Sequence, residues 1–365
     1  MRAFKAVAGA ALWLALMGAS AAAQDAPANQ FEVIELFNMG DNVVVRAFAQ
    51  EPEKGTMWVG SSVGALEIDL ATREARNTFT RKEGLANEYV FSVGIDTQGY
   101  KWFGTNAGGV ARYRDGAWKV FFPMHGLADY WVYCFANDHD GALWIGTWAG
   151  ANRVDLKTMK WTTFLDQLVN EWVYGLAVDS KNRKWFGTEG GVTMFDGKSW
   201  RSWTHKDGIG APNETGLPPS PNAGLGTRSR HDLGVLSGGK PTYNPNYVLS
   251  IHVDAHDVVW AGTWGGGVSY YNGGVWRNYT TRDGLSGDIV YSIVPAPDGA
   301  LWFGTDRGIA RFDGKQWMTM SVHQGLLDNH VYALSVDPTG KVWVGTRKGV
   351  TIVALKAADG KTTRK

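Results

Sequence analysis

Short apolar runs, broken at a regular interval by glycine and aspartate, follow one another from Phe31 to Leu355. Near the end of the chain the run Val331-Tyr332-Ala333-Leu334-Ser335-Val336 is apolar and β-branched, which predicts a buried strand. Asp337-Pro338-Thr339-Gly340 then predicts a tight turn. A second strand of the form Trp-x-Gly-Thr follows, then a glycine turn, a third strand and a fourth that carries an aromatic residue. Asp115-Gly116, Asp196-Gly197 and Asp313-Gly314, between third and fourth strands, are hairpin signals.

Seven tryptophans anchor the Trp-x-Gly strands: Trp58, Trp102, Trp144, Trp185, Trp260, Trp302 and Trp343. Neighbouring anchors stand 41–44 residues apart, except that Trp185 and Trp260 are separated by 75. Threonine closes the motif in six copies and Ser61 in the first, and a further glycine falls six residues after every anchor, as at Gly64, Gly108, Gly266 and Gly349. A unit repeated at this period cannot bury its apolar face alone, so the copies must pack against one another. Four antiparallel strands in about 42 residues are one propeller blade. The expected fold is therefore all-β, a seven-bladed β-propeller. Phe31 to Phe37 reads as a fourth strand that arrives before any blade has begun, while the last copy ends at Leu355 without one. The N-terminal strand is expected to complete the last blade and close the ring.

Residues 1–23 carry Arg2 and Lys5, an apolar run from Ala6 to Leu16 and Ala21-Ala22-Ala23. This is the pattern of a signal peptide cleaved before Gln24, and the run is too short to span a membrane. Residues 24–30 are expected to be a linker, 31–355 the propeller and 356–365 a frayed tail. The long interval places a proline- and glycine-rich loop, about 206–246, between the outer strand of blade four and the inner strand of blade five. A periplasmic or secreted location follows from the leader. Removing Arg2 and Lys5 from 36 basic residues leaves 34 against 35 acidic ones, a net charge of −1 that does not call for nucleic acid. Cys134 is the only cysteine, so no disulfide forms within the chain and burial alone must hold the ring.

The repeat closely resembles that of the two-component regulator propeller family, whose pattern Asn-x-Val, Asp-x-x-Gly-x-Leu-Trp-Ile-Gly-Thr, Gly-Gly is nearly reproduced by Asp129 to Gly150 and by Asp328 to Gly349. That resemblance implies a non-catalytic periplasmic sensor domain that binds a carbohydrate or another ligand. Family sensors carry two propellers and adjoining signalling modules, whereas these 365 residues contain one set of seven repeats.

The residue before the inner-strand valine varies from copy to copy as Val43, Tyr89, Trp131, Trp172, Tyr247, Ile289 and His330. Four adjacent blades thus bring a large ring to one mouth of the channel, the mouth that the long loop overhangs. Trp148 and Trp264 follow the threonine in two of them, and Glu88, Asp129, Glu171, Asn246, Asp288 and Asn329 flank the rings. Rings interleaved with carboxylates and amides suit a sugar or a protein partner. The candidate site is Tyr89, Trp131, Trp172, Tyr247, His330, Trp148, Trp264, Arg46, Glu171 and Asp288, where Arg46 and His330 depart from their counterparts. Tyr133, Tyr174, Tyr291 and Tyr332 are expected to pack between blades, as are the seven anchors. No zinc-protease, haem, phosphate-loop or nucleophile-elbow motif is present, and no cofactor or metal is expected. A lyase or hydrolase using Asp288, Asp328, His330 and Glu171, or a structural subunit of a larger periplasmic complex, are the alternatives.

Overall fold

The computed structural model describes residues 30–40, 42–220 and 242–356. The leader, most of the linker, the middle of the long loop and the tail lie outside the described residues. Among the described residues, twenty-eight strands form seven four-stranded antiparallel sheets. The innermost strands are Val45–Glu51, Val90–Ile95, Val132–Asn137, Val173–Val178, Asn244–Val253, Val290–Pro295 and Val331–Val336. Each packs against the next, and the seventh packs against the first, so the sheets close into a seven-bladed propeller. In the seventh sheet the outermost strand is Phe31–Asn38, paired antiparallel with Gly349–Leu355 from Phe31↔Leu355 to Asn38↔Gly349.

Every position of the Trp-x-Gly-Thr motif has its own physical task. The seven anchor indoles lie in the cores between or within blades, where most are sealed from solvent. The glycine two residues on is where the next blade comes closest. A Cβ on Gly146 would stand 2.8 Å from a methyl of Val173, and one on Gly345 would stand 2.8 Å from Val45, so the same contact joins blade three to four and blade seven to one. The threonine hydroxyl donates to the backbone carbonyl that ends the following turn, Thr147 to Gly150 at 2.8 Å and Thr305 to Gly308 at 3.0 Å. Ser61 makes the same bond to Gly64 at 2.8 Å, which is why serine serves in the first copy.

The aspartates that open the turns do more than turn the chain. Asp96, Asp138, Asp179, Asp254 and Asp337 each accept the indole N–H of their own blade's anchor, at 2.7–3.2 Å. In blade one Glu51 takes that place, accepting from Trp58 at 2.9 Å and pairing with the buried Lys101 ammonium of blade two at 2.9 Å.

Two sequence registers need correction. In blades two and five the turn after the threonine is one residue longer. The threonine therefore bonds to Gly109 and Gly267, which hold the positive φ, rather than to Gly108 and Gly266. In blade one Val45 pairs with Ser61 as Val90 pairs with Thr105, so the residue before the valine is Val44 and not Val43.

The long loop leaves blade four through a short 3-10 turn, His205–Asp207, of the kind that Pro123–His125 and Val322–Gln324 form elsewhere. Its described base is tied down. Pro219 bridges to Tyr243, and the Tyr243 hydroxyl donates to the Ala211 carbonyl at 2.8 Å. The return to blade five is already strand from Asn244.

Candidate functional site

The innermost strand of every blade carries one residue too many. Between the valine paired with Thr or Ser and the residue paired with the motif glycine, the register shifts by one inserted residue. Such a bulge bends the strand and re-aims the extra side chain. Taken in blade order these residues are Arg46, Phe91, Tyr133, Tyr174, Leu249, Tyr291 and Tyr332, and all seven line one axial cavity of about 230 Å³. Tyr133, Tyr174, Tyr291 and Tyr332 therefore face the axis, not the space between blades where the strand alternation places them. The ring is continuous on both sides of Leu249. Phe91 lies 5.3 Å from Tyr133, Tyr133 lies 4.8 Å from Tyr174, and Tyr291 lies 5.0 Å from Tyr332. Arg46 closes the circuit, its guanidinium 4.8 Å from the centre of Tyr332 and 5.5 Å from that of Phe91.

Two residues earlier in the chain, toward the mouth, stand Tyr89, Trp131, Trp172, Tyr247, Ile289 and His330. They divide by exposure. Trp172, Tyr247, Trp148 and Trp264 keep only 3–5% of their surface accessible, because Trp148 stacks on Trp172 at 4.4 Å and Tyr247 on Trp264 at 5.8 Å. Tyr89, Trp131, His330 and Arg46 are half-buried, and the Glu171 side chain is exposed. The accessible rings of the predicted site thus run from blade seven to blade three, while the indoles of blades four and five are committed to packing. Tyr174 links the two parts, 4.8 Å from Tyr247.

The polar residues beside the rings are largely committed to the loops. Asn87, Asp129, Asn170 and Asp328 accept the backbone N–H of Tyr89, Trp131, Trp172 and His330 at 2.8–2.9 Å, and so set the entry of the chain into the inner strand. Asp129 belongs with this group, one residue earlier than Glu88, Glu171, Asn246, Asp288 and Asn329 with which its position groups it in the sequence. Blade six has Gly287 there, and the Asp306 carboxylate reaches the Ile289 N–H at 3.2 Å instead. Asp288 accepts the Thr281 N–H at 2.8 Å and its hydroxyl at 3.1 Å, a clamp that Asn246 and Asn329 repeat on His205 and Val322.

At blade seven Asp328 joins His330 Nδ1, 3.3 Å away, and the Arg347 guanidinium at 3.2 Å. Burial would raise the Asp328 carboxyl, but the bonds from His330 and Arg347 outweigh it and hold it well below the ordinary range. Asp306 shifts the other way, pushed up by burial against the pull of the Ile289 N–H and Arg307. For Asp328 the folded value lies below the unfolded one of about 4. Protonation then favours the unfolded chain, so the cluster's stabilisation is complete above that pH and fades as pH falls through the folded value. Asp328→Asn should lower the melting temperature at pH about 7, and the gap to the parent should shrink on acidification to about 3. Thermal melts at several pH values check this; a gap independent of pH would refute it.

Cys134, beside Tyr133 in the wall of the axial cavity, is half-buried, and desolvation pushes its thiol up, away from the thiolate that nucleophilic chemistry needs. Among the described residues no group of three or more His, Cys, Asp or Glu is placed to hold a metal ion.

Residues 126–149, 284–307 and 325–348, three of the seven repeats, match the two component regulator propeller family. No curated protein matches the chain. Among solved structures, the extracellular domain of a hybrid two component system from B. thetaiotaomicron is 20% identical with a TM-score of 0.69, over 88% of this chain and 41% of that one. Virginiamycin B lyase from Staphylococcus aureus is 14% identical with a TM-score of 0.65, over 89% of this chain and all of the lyase. PorZ, a surface component of the type-IX secretion system of Porphyromonas gingivalis, is 16% identical with a TM-score of 0.60, over 89% of this chain and 48% of PorZ. The chain thus spans about two fifths of the length of that extracellular domain, and at these identities the likeness is one of fold.

Proposed function

We propose that this chain, three of whose seven repeats match the two component regulator propeller family, is a non-catalytic binding module of the periplasm, taking a small ligand such as a carbohydrate, or a protein partner, at the mouth of its axial channel. One observation carries the reading. Rings occupy the mouth and waist at positions where the repeat is free to vary, while the residues common to all copies are consumed by packing and turns. Flat apolar faces edged with hydroxyls and amides recognise sugars and protein loops alike. The extracellular domains of hybrid two component systems share this fold, which is compatible with the reading.

The test is a binding screen, with neutral oligosaccharides and with periplasmic extract, on three forms of the chain: parent, Trp131→Ala, and one shortened between Pro219 and Tyr243. Trp131 is half-buried at the mouth, so its removal should weaken capture about tenfold or more, a loss of about 1.4 kcal/mol. If all three forms behave alike, the mouth is not the site. If the shortened form loses a protein partner while no saccharide binds to any form, the chain is a subunit of an assembly. A lyase reading has the Asp328, His330 and Arg347 cluster in its favour, together with the fold shared with virginiamycin B lyase. Turnover of a bound ligand, lost in His330→Ala with binding retained, would replace the binding-module reading by that one.

A further inference from the structure

Two loops on the mouth face leave more apolar surface open than the repeat requires. Met124, Tyr130 and Leu165, 86%, 42% and 39% exposed, lie in the loop 122–131 between blades two and three and the loop 165–172 between blades three and four. These loops adjoin. Asn152 of blade three donates to the Gly126 carbonyl at 3.0 Å and to the Thr163 hydroxyl at 2.9 Å, while its Oδ1 accepts the Ala128 N–H at 2.7 Å. The first loop is thereby held along Lys160–Phe164, the strand that leads directly into Leu165. Leu165 rests on the turn after Thr147, its Cδ1 3.4 Å from where a Cβ on Gly150 would stand, and Phe122 packs on Tyr130 at 6.1 Å. Apolar side chains scattered singly need no explanation, but adjoining ones on pinned loops mark a surface that a partner covers.

The charge of the same loops states what that partner carries. No lysine or arginine occurs from Phe122 to Trp131 or from Leu165 to Trp172. Asp166 and Glu171 are exposed, and neither carboxylate enters an ion pair among the described residues. Carboxylates here would repel an anionic membrane surface. A sugar would stack on rings, whereas Met124 and Leu165 are aliphatic. Methionine adapts to apolar side chains of varied shape, and unpaired carboxylates beside it select lysine and arginine. The combination fits a protein segment that is both basic and apolar, as amphipathic targets of hydrophobic grooves are.

We infer that the rim of blades two to four is a docking surface for a basic segment of another protein, whose apolar side chains cover Met124, Tyr130 and Leu165 while its lysines or arginines face Asp166 and Glu171. The inference rests on the binding-module reading in its protein-partner form and deepens it, assigning the chemistry of the partner and placing its contact beside the channel mouth.

The experiment is calorimetric titration of the full chain with short synthetic peptides of alternating leucine and lysine, leucine and glutamate, or serine and lysine. The leucine-lysine peptide should bind, and the other two at least about tenfold more weakly. Met124→Ser combined with Leu165→Ser should weaken it about tenfold. Asp166→Asn combined with Glu171→Gln should weaken it about three- to tenfold at low salt, a difference that should largely vanish at about 1 M salt. All four side chains are exposed, so the variants should melt with the parent. No binding of the leucine-lysine peptide, equal binding of the glutamate peptide, or indifference to both pairs of substitutions would each overturn the surface. So would a preference for phosphatidylglycerol vesicles, a dimer of the chain that the same substitutions dissociate, or peptide binding about tenfold tighter in the form shortened between Pro219 and Tyr243, which would make the chain its own occupant. A failure of this kind, with Trp131→Ala still impairing capture of an oligosaccharide or a partner, removes the rim surface and leaves the mouth reading in place. Peptide binding that needs Met124 and Asp166 but ignores Trp131 would place the partner on the rim and leave the mouth without one.

Discussion

A chain trimmed to begin after Asn38 is expected to lose cooperative folding. Phe31–Asn38 is the outermost strand of the seventh blade, so its removal strips one edge of Gly349–Leu355 of its partner along seven paired residues. It also removes two rings from the core. Phe31, 3% exposed, lies 5.9 Å from Trp302 of blade six, and Phe37 stacks on Trp343 at 6.1 Å. Truncating one buried phenylalanine costs about 3–5 kcal/mol. With the smaller loss from half-buried Phe37, the sum reaches the lower part of the roughly 5–15 kcal/mol that holds an ordinary domain, before the ladder is counted. The bared strand would in addition template edge-to-edge association. Size-exclusion chromatography should show the trimmed protein as aggregate, and circular dichroism should show no sharp melt. Phe31→Ala, which keeps the ladder, should stay monomeric and melt several degrees lower. A trimmed chain that remains monomeric and melts within two or three degrees of the parent would show that the ring does not depend on this closure.

That strand was legible because its partner was missing: a fourth strand preceding all blades and a last blade one strand short can satisfy each other only across the ring. The anchors were legible for the related reason that packing between identical units repeats, so Trp, Gly and Thr recur wherever blade meets blade. The bulge was harder to read. Strict alternation along Val132-Tyr133-Cys134 sends Tyr133 to a blade face, and the inserted residue that turns it to the axis leaves no local mark in a single copy. A mark exists across copies. The residue after the inner valine is Arg, Phe, Tyr, Tyr, Leu, Tyr, Tyr in blade order, far more aromatic than a blade face needs. From blade two onward the residues before that valine share one strand register, as the sequence suggests, whereas the slip to Val43 arose in a run of three valines where composition offers no register. Exposure was not legible either. Whether Trp172 faces solvent depends on Trp148, a residue of the neighbouring blade, stacking over it.

Asp138→Ala should be the most damaging single change away from the channel. The carboxylate is fully enclosed and joins three parts of the fold. Oδ1 accepts the N–H groups of Asp140 at 3.0 Å and Ala142 at 2.8 Å, which fixes the turn. Oδ2 accepts the Trp144 indole at 2.8 Å and stands 3.7 Å from the ammonium of Lys184 in blade four, itself 5% exposed. Alanine would leave a buried indole and buried amides without their acceptor, at about 1–3 kcal/mol each. It would also strand a buried cation, for which removal of one partner costs about 3–5 kcal/mol. These losses share one group and do not add, so a net cost of about 5 kcal/mol is expected. The sixth blade shows what such a site needs in order to do without the acid. Ala296 stands where Asp138 stands, Asp298 closes the turn from two residues further on, and the following blade supplies Val342 where blade four supplies Lys184. With no ammonium to strand, the repeat tolerates alanine. Lys184→Val in the Asp138→Ala background should therefore recover part of the lost stability, although Lys184→Val alone destabilises by removing the bond from its ammonium to the Asn182 carbonyl. Urea denaturation of the four forms measures this as a coupling energy, expected to exceed about 1 kcal/mol. Additive effects would mean that the Asp138 carboxylate serves its own blade only.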